Sequence, residues 1–369
     1  MVTRAARLAH DGEMRRFTVG MDPLSAHLDR GWELFSQGDA KGARACARRA
    51  LELDGSSPEA HTLLGQVAAQ EGEYDTAMEH FRTAMALDDG YPDPMLNAAE
   101  LLIHPLQDYE GAIELCDEVL EFVDTREEIV DAMLLKFDAL LAKGDDEAAK
   151  RLLDALPEGP YEQPGQSFLL GRARFEVGDA ELAEAHLADA LRDDARNPDV
   201  HYYLGLVREQ KRDWRGAAVA FLECRGLDRE LPAAPWSLPR EQFHRTVVRA
   251  LEQVEAPIAR ALEGALVVVE DSPGVEVVAE GIEPRAPLLL DGIGGDAPAD
   301  GPGRLVRLFV YQRNLERLCG AIEELEDEIA HQVSEEVRHL LGTTDVRKVA
   351  PPSPAAPDDD RKKPRKSRN

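Results

Sequence analysis

The residues of this chain with the most evident chemistry lie close to its C-terminal end, in Glu335-Glu336-Val337-Arg338-His339-Leu340-Leu341-Gly342-Thr343-Thr344-Asp345. This run is one residue away from HExxHxxGxxD. In that pattern two imidazoles four apart on a helix bind one zinc ion side by side and the glutamate between them activates the metal-bound water. The glycine turns the chain and the last acid completes the coordination. His331 lies one turn before Glu335, but ligation from His331 and His339, eight residues apart, would demand a bend in the helix. At about 100° per residue His331, Glu335 and His339 share a face roughly opposite Ile329, Val333 and Val337, and a purely solvated helix face has the same pattern.

Other reactive residue types are scattered. Cys46, Cys116, Cys224 and Cys319 make no CxxC pair and read as buried free thiols rather than disulfides or a metal site. His27, His61, His80, His104, His186 and His201 have no His, Cys or carboxylate partner at a consistent ligand spacing, so they read as packing or surface groups. Segment 291–303 holds five Gly, two Pro and three Asp and reads as a loop; its glycines do not fit a phosphate-binding turn, nor its aspartates a calcium loop.

The motif needs a helix to carry it. Leu315, Leu318, Ile322, Leu325, Ile329, Val333, Val337 and Leu340 recur at helical spacing, which predicts one long amphipathic helix over about 314–341 with Gly342 as its cap. Residues 240–262 read as another helix, through Phe243, Val247, Leu251, Val254, Ile258 and Leu262. Runs 265–270, 274–279 and 305–311 are β-rich and read as strands. Over 236–345 this sequence resembles a family of small bacterial zincin-like metallopeptidase domains. The likeness takes in the opening helix, the strand leading to Glu270-Asp271-Ser272-Pro273, the Leu-Leu-x-x-Gly turn at 288–292, the strand and polar segment 308–316 and the acidic run 323–328.

That resemblance implies zinc as cofactor, Glu336 as general base, and His339 and Asp345 as metal ligands, with Glu335 where the first histidine ligand belongs. Two carboxylates and one imidazole form a harder set, less selective for zinc, than two imidazoles and one acid. The expectation is therefore a descended site with peptidase activity reduced or lost, set against a working zinc metallopeptidase.

Upstream the chain repeats itself. Gly31 and Gly65 are 34 apart, Ala99 follows Gly65 by 34, and Phe137, Gly171 and Gly205 are again 34 apart, the step from 99 to 137 being longer. Prolines keep the same count from Pro58 to Pro92 and through Pro164, Pro198 and Pro232. Leu-Gly recurs at Leu64-Gly65, Leu170-Gly171 and Leu204-Gly205, with turn glycines at Gly38, Gly72, Gly144 and Gly178. Pairs such as Ala77/Phe81, Ala183/Leu187 and Ala217/Phe221 follow. The pattern is a helical hairpin: a small residue lets two helices approach, glycine makes the turn and proline ends the unit. It resembles the tetratricopeptide repeat, in about six copies over 24–232, with local irregularity expected at His104-Pro105-Leu106-Gln107. Zincin-like domains of the family above are sometimes attached to such repeats.

A stack of these hairpins presents a concave face of first-helix side chains suited to an extended peptide or a partner's helix. With 71 Asp and Glu against 43 Lys and Arg, the net charge is -28, which steers cationic segments toward the array and argues against nucleic acid or anionic membrane as a partner. Runs such as Glu127-Glu128 and Asp145-Asp146-Glu147 also serve as plain solvated faces. Tyr202-Tyr203, Trp32 and Trp214 read as hairpin packing first.

The expected architecture is mainly α: a six-unit α-solenoid followed, after Pro232, Pro235 and Pro239, by a small α+β zincin-like domain. Residues 1–23 read as poorly ordered, with Met21 an alternative start, and 346–369 as a disordered tail of eight Lys or Arg and three Asp. No stretch approaches a membrane span and no signal-peptide core follows the early arginines, so a cytoplasmic protein is expected.

Overall fold

The computed structural model describes residues 22–157, 159, 161, 163, 165–294 and 304–343. The segment 1–21, the tail and Asp345 lie outside the described residues. The chain divides into two compact units, one of residues up to Glu230 together with Val278–Gly281, the other of Leu231–Val277 and the residues from Ile282 on.

Among the described residues the first unit has twelve helices paired as six hairpins. These are α1 (Pro23–Ser36) with α2 (Ala40–Leu53), α3 (Pro58–Gln70) with α4 (Tyr74–Leu87), and α5 (Pro92–Ile103) with α6 (Tyr109–Phe122). Then come α7 (Arg126–Lys143) with α8 (Asp146–Asp154), α9 (Gln166–Glu176) with α10 (Ala180–Asp193), and α11 (Pro198–Gln210) with α12 (Trp214–Glu230). Pro23, Pro58, Pro92 and Pro198 open first helices, where a missing N–H costs nothing. Asp39, Asp108, Asp145 and Asp179 cap second helices by accepting a backbone N–H from the third residue on.

The small residue of each first helix is explained by what it faces. A Cβ at Gly171 would lie 2.6 Å from Leu187 Cγ, and one at Gly65 or Gly205 would enter the ring of Phe81 or Phe221. The fourth hairpin has a large residue at this place instead: Phe137, fully buried, packs in one cluster with Ala149 and Leu153. The irregular third unit behaves as its sequence predicts, with α5 ending at Ile103, a cis His104–Pro105 bond and Gln107 at φ 56°. Val278, also fully buried, packs with Ala217 and Phe221 of α12. Trp214 is 64% exposed, so it is not the packing residue its type suggests. All four cysteines are free; Cys116 and Cys224 are buried, whereas Cys46 and Cys319 are half-buried.

The second unit contains α13 (Arg240–Gln253), α14 (Ala256–Ala261), β1 (Leu266–Glu270), α15 (Val275–Ala279, shared with the first unit), β2 (Leu288–Gly294), β3 (Arg304–Tyr311), α16 (Gln312–Leu318) and α17 (Leu325–Thr343). The strands form one sheet in the order β1-β3-β2, β1 parallel and β2 antiparallel to β3, with Val268 opposite Phe309 and Leu289 opposite the same residue from the other side. Phe243, Val247, Val269, Leu308, Leu315, Ile329, Val333 and Val337 share its core.

Four expectations are corrected here. The helix over 240–262 is two helices, because Pro257 in the first turn of α14 starts a new one after Gln253. The run 274–279 is helical at Val275–Ala279, too short for alternation to discriminate. Residues 291–294 belong to β2 despite two glycines, since Gly292 at φ 75° brings its Cα against Val306, where a Cβ would stand 3.2 Å from that side chain. The helix over 314–341 is broken into α16, a 3₁₀ turn at Ile322–Glu324 and α17, and α17 runs through Gly342 to Thr343 instead of stopping before it.

Candidate functional site

α17 is positioned by its apolar stripe. Leu325, Ile329, Val333 and Val337 are fully buried, which turns His331, Glu335, Glu336 and His339 to the exposed side. Of the sequence-predicted residues, Glu335, Glu336 and His339 thus lie on the exposed side of one helix. Glu335 Oε1 accepts a hydrogen bond from Arg338 Nη1 at 2.5 Å, and the other terminal nitrogen of Arg338 lies 3.4 Å from Glu255. A guanidinium therefore occupies the carboxylate that would have to receive a divalent ion, and the two cations compete for it. Among the described residues no three His, Cys, Asp or Glu side chains converge as a metal cage, and Asp345 lies outside them. Of the described residues, Glu335 and His339 would offer a zinc ion one carboxylate and one imidazole.

Burial pushes the Cys319 thiol up to about 11, with Glu328, Glu324 and Glu316 adding to the rise, so it stays protonated at neutral pH. Glu316 itself, 4% exposed, is tied to the structure: Ser237 Oγ donates at 2.7 Å, Gln312 Nε2 at 2.8 Å and the Leu238 N–H at 3.1 Å. Asn314 donates to the carbonyls of Pro284 and Ala286. This network locks α16 to the segment before α13, so the polar residues at 308–316 have a positioning role.

In the first unit two groupings escape a sequence reading. His61 Nδ1 and His80 Nδ1, on the two helices of one hairpin, are 3.2 Å apart. Burial lowers the pKa of both, and for His80 the neighbouring His61 lowers it further. Arg172 bonds Asp138 at 2.6 Å, between equivalent positions of successive repeats, and lies 3.6 Å from Glu176. Burial works against the Arg172 charge, but Asp138 and Glu176 outweigh it and its pKa rises; burial also raises that of Glu176, against the pull of Arg172. Phe168 and Phe175 set their rings edge-on to Tyr203 nearby in the array. These residues sit on the first helices α7, α9 and α11, and only the 34-residue spacing of Asp138 and Arg172 signals the pairing in sequence.

The first unit is a helical-repeat solenoid and the second a small mixed-sheet domain carrying the motif helix. Residues 28–92 and 168–226 match one family model described as tetratricopeptide repeat and 68–129 match a second, while 262–350 match a model described as zincin-like metallopeptidase. The chain carries tetratricopeptide repeats and a zincin-like metallopeptidase domain. It is 28% identical over 208 residues to cellulose synthase operon protein C of Pseudomonas fluorescens (strain SBW25), a stretch that is 51% of this chain and 16% of that protein. Among solved structures, Pseudomonas aeruginosa PilF is 20% identical at a TM-score of 0.47, covering 57% of this chain and 93% of its own. A thermophilic TPR protein of Thermus thermophilus is 18% identical at a TM-score of 0.42, covering 51% and 99%. No helix among the described residues is long and apolar enough to cross a membrane.

Proposed function

We propose that the protein is a cytoplasmic interaction scaffold. Its acidic array at 24–232 takes a protein or peptide partner on the concave face of the first helices, and the array is fused to a zincin-like domain at 236–345 whose peptidase activity is reduced or lost. The observation that carries this reading is the ion pair between Glu335 and Arg338, at the position where the motif calls for a neutral imidazole. Histidine there would leave Arg338 with Glu255 alone as counter-charge and give the metal a second nitrogen ligand. On this reading Glu336, His339 and Asp345 are the remnants of the general base and two ligands.

Elemental analysis of the purified full chain tests the proposal. Substoichiometric zinc and no peptide hydrolysis are expected, with Glu335→His raising zinc occupancy toward one per chain if the rest of the site is intact. Native protein that carries zinc, loses it in His339→Ala and cleaves a polypeptide in a manner abolished by Glu336→Gln would instead establish a zinc metallopeptidase whose repeats recruit its substrate.

A further inference from the structure

The second hairpin holds two imidazoles against each other. Phe81 of α4 fills the space left at Gly65 of α3; His80 precedes that ring and His61 stands one turn before the glycine, so the close approach of the helices brings the two histidines together. Their ring centroids are 5.4 Å apart but their Nδ1 atoms only 3.2 Å, so these nitrogens form the facing edges. The repeat itself does not demand such a pair. In the sixth hairpin Gly205 and Phe221 make the same close approach, yet the residues in register with His61 and His80 are His201 and Ala220, and His201 Nε2 lies 3.0 Å from the Ala195 carbonyl.

The separation matches the bite of one metal ion. Imidazole nitrogens bind first-row divalent ions at about 2.0–2.1 Å, and two such bonds closed over 3.2 Å subtend about 100°, between square and tetrahedral coordination. Both rings are half-buried, and burial holds each below the ordinary histidine pKa, with His61 lowering His80 further, so at neutral pH both are uncharged and have a lone pair to offer. Of the charged neighbours of His80, Arg44 and Arg48 oppose a cation and Glu79 favours one; Arg44 is already held by Glu71 and lies 3.6 Å from Glu73, which compensates its charge. Among the described residues no third His, Cys, Asp or Glu completes a cage, so water takes the remaining positions.

We propose that His61 and His80 form a two-ligand site for a divalent transition-metal ion of the class that favours imidazole: copper, nickel or zinc. The ion takes the place of the hydrogen bond between the two Nδ1 atoms. The ring that donated that bond moves its proton through solvent to Nε2, so both rings present Nδ1 to the metal and the ion clamps α3 to α4. Two protein ligands yield the ion to a chelator more readily than a three-ligand cage would. The site is independent of the motif helix and of peptidase activity, and metal bound here survives His339→Ala, which separates it from any ion on that helix.

The test uses the full chain carrying His339→Ala, stripped with a chelator, dialysed and titrated with copper(II) alone, the ion that heads the affinity order for such ligands. One equivalent is expected to bind, with a raised Tm and an electron paramagnetic resonance spectrum split by two nitrogens. His61→Gln and His80→Gln should each weaken that binding about tenfold or more and remove the two-nitrogen splitting, with far-UV circular dichroism showing the helices intact. His27→Gln, in register with His61 in the first hairpin, should leave the binding unchanged. No saturable copper binding, a single-nitrogen spectrum, undiminished affinity in either His61→Gln or His80→Gln, or an equal loss in His27→Gln each overturns the proposal.

Discussion

Arg212 stands 34 residues after Gly178, at the turn between α11 and α12, and holds φ 61° where Gly178 holds 80°. A side chain in the left-handed region crowds its own backbone, a cost that glycine does not bear. Arg212→Gly is therefore expected to stabilise the protein by about 0.5–1 kcal/mol, read as a higher urea midpoint at unchanged slope. The histidine pair gives a pH signature of opposite sense to a histidine held by a carboxylate, whose pKa would be raised. Burial holds His61 and His80 below the ordinary histidine value, and Glu79 offsets this for His80 less than His61, Arg44 and Arg48 and burial together oppose it. As pH falls below the ordinary value the unfolded chain protonates first, so stability is intact above about pH 6.5 and declines as acid passes through the folded-state values. Two cations with their nitrogens 3.2 Å apart add repulsion. The fall in Tm between about pH 7.5 and 5.5 should be larger for the native protein than for His61→Gln/His80→Gln, and equal falls would rule the pair out as its source.

At the scale of elements, the Glu316 network is what fixes α16, and through it the start of the last helical segment. Removing the carboxylate leaves Ser237, the Leu238 N–H and Gln312 buried with fewer acceptors, and Gln312 keeps only its bond to the Leu238 carbonyl. Glu316→Ala should cost about 2–3 kcal/mol, seen in urea unfolding followed by the fluorescence of Trp236, which packs against the same core. Such an element shows why the repeats were easier to read in sequence than the C-terminal unit. In the array one hairpin is written six times, so Gly65 facing Phe81 and Gly205 facing Phe221 report the same contact independently. In the second unit nothing repeats. Leu318 and Ile322 carry the helical spacing straight across the Cys319–Gly320 break although both are exposed, whereas Leu315 of α16 and Leu325 of α17 lie in one core, so apolar spacing alone reports neither burial nor the continuity of the backbone there. β2 hides behind Gly292 for the reverse reason, a strand whose glycine serves close approach. The motif face was legible from spacing, but the partner of Glu335 was not: Arg338 lies three residues on, among several charges equally placed to pair.

At the scale of the whole molecule charge decides what approaches and where. The carboxylate excess gives the chain a field that repels phosphate and draws cationic segments, and the field acts on encounter more than on the final complex. Within the array Asp138 and Glu176 are already held by Arg172, and this pairing braces successive first helices. The consequence is kinetic. For a labelled peptide alternating Lys and Ala, stopped-flow association with the full chain should slow by about tenfold between roughly 50 and 500 mM NaCl, with a much smaller change in the dissociation rate. Arg172→Leu separates bracing from steering, because it raises the local negative charge while removing the tie between α7 and α9. If steering dominates, the variant associates faster at low salt even though its array is less stable; if association is slower or independent of salt, the concave face recognises its partner by shape and apolar contact, and the acidity of the array serves its solvation alone.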